Sequence, residues 1–126
     1  MKAQDLMLGD YVTFRDCDKE IVPIMIMGIP YDSAVYGRIG RDVAFDEIDV
    51  EDLAGIPITP EILEKNGFVY SDLPFEQSWQ QFGLSLYRGG DSYLINCGEN
   101  VAIIIDYVHQ LQHALRLCGI EKEIEL

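Results

Sequence analysis

Val101-Ala102-Ile103-Ile104-Ile105-Asp106-Tyr107-Val108-His109-Gln110-Leu111-Gln112-His113-Ala114-Leu115-Arg116-Leu117-Cys118 is the stretch whose reading decides the fold. Its first five residues are apolar and rich in β-branched types, which suits a strand covered on both faces. After Asp106 the period changes. At about 100° per residue, Tyr107, Val108, Leu111, Ala114, Leu115 and Cys118 share one side of a helix, and His109, Gln112, His113 and Arg116 share the other. Asp106 stands where a side-chain cap would meet the first free N–H groups, and Gly119 stands where a left-handed residue would end the helix. The expectation is a buried strand feeding an amphipathic helix, with Leu111 and Leu115 at the centre of the apolar arc.

Upstream, Phe82 to Arg88 and Ser92 to Cys97 flank Gly89-Gly90-Asp91, a glycine-rich connection of the kind that closes a β-hairpin. Gly98-Glu99-Asn100 then turns into Val101, so this half reads as a β-meander covered by its last helix. Glu121 to Leu126 reads as a charged tail that frays. Before the meander, Ile58-Thr59-Pro60-Glu61-Ile62-Leu63-Glu64-Lys65-Asn66-Gly67-Phe68 spells a short helix. Thr59 suits the N-cap, Pro60 the first turn, and Asn66-Gly67 a left-handed exit. Phe68 to Tyr70 is a brief strand, and Ser71 to Gln81, with Pro74, Phe75 and Trp79, reads as a loop.

In the first part of the chain, Leu8-Gly9-Asp10-Tyr11-Val12 is a tight turn entering a strand. Glu20 to Gly28 is a second strand, whose Pro23 implies that its beginning lies on an edge or at a bulge. Ile29 to Gly40 is rich in Gly, Pro, Asp and Tyr and reads as a loop with a short strand near Val35; Arg41 to Ile48 supplies another strand. The fold class is therefore α+β: a small N-terminal SH3-like or barrel-like antiparallel sheet, a short connecting helix, and a C-terminal β-meander packed by one amphipathic helix. One domain spans residues 1–126, with sub-structures at 1–55 and 56–126.

Twenty-two acidic against nine basic residues among 126 give a formal charge of −13. That balance disfavours nucleic-acid binding, which rests on Lys and Arg displacing counterions from phosphates. The same balance favours partners with a basic surface. Cys17, Cys97 and Cys118 are an odd number without C-x-x-C spacing, which reads as reduced thiols. Met1 to Leu6 lacks the apolar stretch of a secretory signal, and no apolar run approaches the roughly 18 residues of a membrane span. The expected location is cytoplasmic, with no membrane attachment.

No G-x-S-x-G elbow or phosphate-binding glycine loop is present; Gly37-Arg38-Ile39-Gly40 and Gly89-Gly90 read as turns. His109 and His113 stand one helical turn apart, but zinc needs more ligands than two imidazoles, and the sequence supplies no third. Asp42, Asp46, Glu47, Asp49, Glu51 and Asp52 lack calcium-loop spacing and alternate with apolar residues, as a solvated strand face does. No metal or cofactor is expected. Tyr31, Tyr36, Phe75 and Trp79 fall in the expected loops and are read as folded over the core. The residues assigned to a partner contact are Asp46, Glu47, Asp49, Glu51 and Asp52, with His109 and Gln112 beside them.

Leu8-Gly9-Asp10-Tyr11-Val12, Ile56-Pro57-Ile58-Thr59-Pro60-Glu61-Ile62-Leu63-Glu64-Lys65-Asn66-Gly67-Phe68 and Tyr107-Val108-His109-Gln110-Leu111-Gln112 occur in that order. Together they resemble an uncharacterised family of small proteins from anaerobic gut bacteria, often met in prophages and other mobile elements. The Gly-Asp opening is also similar to the first strand of SH3-like barrels. The resemblance implies a family and no activity. The functional expectation is a non-catalytic, acidic interaction or accessory protein that binds another protein, with homo-oligomerisation left open. The alternatives are a small hydrolase or ligand-binding enzyme whose site assembles only in the fold, and an acidic nucleic-acid mimic that blocks a DNA-binding protein.

Overall fold

Two short turns start the two halves of the chain, and each is fixed by a side chain that satisfies backbone N–H groups. In the first, the Asp10 carboxylate accepts the Met7 N–H at 2.8 Å while the Asp10 N–H donates to the Met7 carbonyl at 3.1 Å. Gly9 lies between them at φ +87°, a conformation that a side chain would strain. In the second, the Thr59 hydroxyl accepts the Ile62 N–H at 3.2 Å. A computed structural model describes residues 1–15, 21–39, 43–73, 76–81, 83–96 and 102–126. It divides into two compact units, Met1–Ile56 and Pro57–Leu126.

In the first unit a 3-10 turn at Ala3–Asp5 precedes β1 (Tyr11–Arg15), β2 (Ile21–Tyr31), β3 (Ala34–Ile39) and β4 (Val43–Asp49). A second 3-10 turn, Val50–Asp52, leads into β5 (Leu53–Gly55). The strands are antiparallel in the order β4-β3-β2-β1-β5, so the last strand returns to pair with the first. Val12, Ile24, Ile26, Val35, Ile48, Val50 and Leu53 form the core with Ala3 and Leu6. Pairing of β2 with β3 begins at Met25, so Pro23, opposite Thr13 on β1, needs no ladder N–H on its other side.

The short strand expected near Val35 is β3, and the loop expected around it is instead the end of β2, joined to β3 through Asp32-Ser33. Its glycines are strand residues that allow close approach. A Cβ on Gly37 would stand 2.8 Å from the Ile24 side chain and 2.9 Å from that of Ile48. One on Gly28 would stand 2.9 Å from the Tyr36 ring, on the facing strand. The turn expected at Gly37-Arg38-Ile39 is thus a strand, and Gly40 lies outside the described residues.

The second unit holds α1 (Pro60–Lys65), β6 (Val69–Leu73), β7 (Glu76–Gln81), β8 (Leu84–Gly89), β9 (Ser92–Asn96), β10 (Ala102–Ile105) and α2 (Val108–Leu117). Its sheet is an antiparallel meander in the order β10-β9-β8-β7-β6. The expected loop at 71–81 is the β6–β7 hairpin, in which Tyr70 pairs with Trp79. Gly90, at φ +65°, closes the β8–β9 hairpin as expected. Both helices end in the same way, at Gly67 (φ +88°) and Gly119 (φ +73°). In each, the next N–H reaches back to close the last turn, Phe68 to Leu63 and Ile120 to Leu115, both at 2.9 Å.

Helix α2 buries Leu111 and Leu115 as read from the sequence, but its buried arc is wider than expected. His109 is 4% exposed and Gln112 7%, so neither lies on the wet face to which it was assigned. The cap also differs. Gln110 Oε1 accepts the Asp106 and Tyr107 N–H groups at 2.7 and 3.1 Å, while the Asp106 carboxylate accepts a hydrogen bond from the Ser92 hydroxyl. The tail expected to fray is docked: Ile124 is buried, and the Asn66 amide holds both backbone groups of Glu125.

Candidate functional site

Val50 fixes an acidic surface on the first unit. Its side chain is buried in the core, its N–H donates to the Ser33 carbonyl at 3.0 Å, and its carbonyl accepts from the Met1 amino group at 3.3 Å. With Val50 pointing inward, the neighbouring Asp49, Glu51 and Asp52 stand exposed around the 3-10 turn. The Asp49 carboxylate accepts the Glu51 N–H at 3.0 Å, which caps the turn. Just upstream, the β3–β4 register shifts between Val35 and Gly37, and Glu47 sits in that irregularity at φ +54°. A non-glycine residue there is strained, and the conformation leaves the Glu47 side chain exposed.

Glu51 lines two hollows. One, of about 250 Å³, lies against β5 and is lined by Thr13, Arg15, Ile21, Glu51, Asp52, Leu53 and Ala54. Ile21 is 62% exposed beside those carboxylates, and the Thr13 hydroxyl donates to the Ala54 carbonyl at 3.0 Å. The other, of about 750 Å³, includes Lys2, Gln4, Asp5, Asp32, Val50 and Glu51 in its lining. Carboxylates therefore outnumber cations around both openings, in a setting wet enough for salt to screen them.

Of the residues assigned to a partner contact, Glu47, Asp49, Glu51 and Asp52 come together here. Asp46 lies on β4, and its side chain is outside the described residues, as is Asp42 altogether. His109 and Gln112 belong to the second unit and are buried there, so the contact is corrected to exclude them. Asp5 and Asp32 were missed. Each is isolated among apolar or neutral neighbours in the chain, and only the fold brings them to Glu51.

The His109 ring stacks on Tyr107 at 5.8 Å and 8°, and meets the His113 ring edge-on at 5.8 Å. Among the described residues, no group of three or more His, Cys, Asp or Glu side chains is placed to hold a metal ion. Trp79 is buried in β7, as an aromatic folded over the core should be. Tyr31 and Tyr36 are not; both remain exposed on the β2–β3 hairpin, and Phe75 lies outside the described residues. Cys118 is disulfide-bonded, against the expectation of a reduced thiol; Cys17 and Cys97 lie outside the described residues. Among the described residues, no helix is long and apolar enough to cross a membrane. The chain matches no protein-family model, no curated protein and no solved structure.

Proposed function

We propose that this chain is a non-catalytic interaction protein whose first unit binds a basic segment of another protein. The observation that carries this reading is the hollow against β5, where the carboxylates of Glu51 and Asp52 stand beside the exposed side chain of Ile21. Lys and Arg combine an aliphatic stem with a charged head, and this juxtaposition offers a surface to each part. The excess of carboxylates steers such a segment inward and repels nucleic acid. The nucleic-acid-mimic reading is a special case, in which the partner's basic surface is its own DNA site; competition by duplex DNA would identify it. The resemblance to the uncharacterised mobile-element family belongs to the same proposal and adds no activity.

Reversing Glu51 and Asp52 to Lys tests the site. Exposed charge pairs contribute about 0.2–1 kcal/mol each, so the double variant should weaken binding of a lysine-rich peptide by roughly tenfold at low salt. The difference should shrink as salt rises. Equal affinity of the two proteins across the salt series would remove the site.

A cytoplasmic location is part of this proposal, and the bridge at Cys118 stands against it, because disulfides persist mainly in oxidising compartments. Thiol titration of denatured protein taken directly from its own cells separates the two. Three titratable thiols support the cytoplasmic reading. A single thiol places the bridge in the cell and the protein in an oxidising compartment.

A further inference from the structure

After Gly119 the chain enters no further helix or strand, yet it is docked. Glu123 and Glu125 are exposed, and Ile124 between them is 1% exposed, the alternation of an extended segment with one buried side. The Ile120 N–H closes α2. Beyond it, among the described residues, the segment bonds to two side chains. Asn66 Nδ2 donates to the Glu125 carbonyl at 2.7 Å and Asn66 Oδ1 accepts the Glu125 N–H at 2.6 Å, while the exposed Lys65 ammonium donates to the Leu126 carbonyl. Asn66 is itself 1% exposed and is tied to α1 by a bond to the Ile62 carbonyl at 2.7 Å.

The amide therefore presents one donor and one acceptor side by side, which match the C=O and N–H of a single extended residue. The Glu125 side chain is exposed, so the residue held there is read by its backbone; the buried Ile124 supplies the side-chain selectivity.

We propose that the end of α1 is a peptide-binding site of which residues 120–126 are the chain's own displaceable ligand. An extended segment of another protein, with an aliphatic residue in the place of Ile124, exchanges for it. The chemistry of that partner is read from the segment already seated. Ordering these seven residues costs backbone freedom at each, and the return is one fully buried side chain and a few hydrogen bonds, so the segment opens more easily than α2. Once it opens, the buried Asn66 amide is left without two of its partners, a costly state that an incoming backbone relieves. The site shares no residue with the acidic surface of the first unit, and its reliance on backbone and an aliphatic side chain makes its binding vary little with salt.

Amide hydrogen exchange of the full chain tests the opening. The Glu125 N–H should exchange at least about tenfold faster than those of Leu111 and Leu115 in α2. Anisotropy of a labelled peptide with the sequence of residues 119–126 tests the exchange. The full chain carrying Ile124→Asp, whose own segment cannot seat, should bind this peptide saturably. The unmodified chain should bind it about tenfold or more weakly, because a tethered competitor acts at high effective concentration. Adding Asn66→Ala to Ile124→Asp should weaken binding by about tenfold or more, and a peptide that itself carries Ile124→Asp should not bind. Equal protection of the Glu125 and α2 amides would overturn the proposal. So would a folded Ile124→Asp chain that leaves the peptide unbound, or one whose binding ignores Asn66→Ala. An Ile124→Asp chain that loses its circular dichroism would overturn it too, by showing the segment to be an inseparable part of the core.

Discussion

Asn66 shows how much one side chain decides. It was read as half of a left-handed exit from α1, yet its own φ is −94° and Gly67 alone takes the left-handed position. Its amide is buried, donates to the Ile62 and Glu125 carbonyls at 2.7 Å each, and accepts the Glu125 N–H at 2.6 Å. The last residues are held because this amide bonds to their backbone as a neighbouring strand would, and because Ile124 is buried. Asn66→Ala should cost about 1–3 kcal/mol in denaturant unfolding, since buried backbone groups are left without partners. In a chain that already lacks Ile124 to Leu126, the same substitution should cost clearly less. Equal losses in both backgrounds would mean that Asn66 acts within α1 alone. Gly37 is a second such position: Gly37→Ala forces a methyl against Ile24 and Ile48 and should cost about 1–3 kcal/mol by the same assay. Neither residue declared its role in the sequence. A glycine that permits packing in a strand and a glycine that turns a chain look alike until the facing side chains are known.

At the scale of elements, periodicity was legible wherever the strand or helix itself supplied it. The β8–β9 hairpin, β10, α1 and the end of α2 lie where their patterns indicated. Of the β6–β7 and β2–β3 hairpins only parts were read, a brief strand at Phe68 to Tyr70, a strand at Glu20 to Gly28 and a short one near Val35, while β7 and β5 were missed, for three different reasons. Trp79 alternates with polar residues too weakly to mark a strand, Gly28 and Pro30 break the pattern of β2, and β5 is only three residues long. In α2 the apolar stripe gave the correct centre and too narrow a width, because His109 and Gln112 are polar residues that the fold buries. Leu111→Ala should cost about 2–5 kcal/mol, as expected for a fully buried leucine in a packed helix. A midpoint change equivalent to less than about 1 kcal/mol would place Leu111 outside the core.

At the scale of the whole molecule, net charge was legible from the start, but its organisation was not. Glu47, Asp49, Glu51 and Asp52 are neighbours in the chain, whereas Asp5 and Asp32 join them only because Val50 pins the 3-10 turn between the chain start and the β2–β3 hairpin. The proposed role is sensitive to salt: capture of a basic segment on the first unit weakens as ionic strength rises. The most direct test of the binding surface is a titration of isotope-labelled protein with a lysine-rich peptide, followed by amide NMR shifts at low salt. The account predicts saturable shifts concentrated on Asp5, Ile21, Asp32 and Asp49 to Ala54, lost in the Glu51→Lys, Asp52→Lys variant. Shifts spread evenly over the exposed carboxylates of both units, and unchanged in that variant, would contradict it.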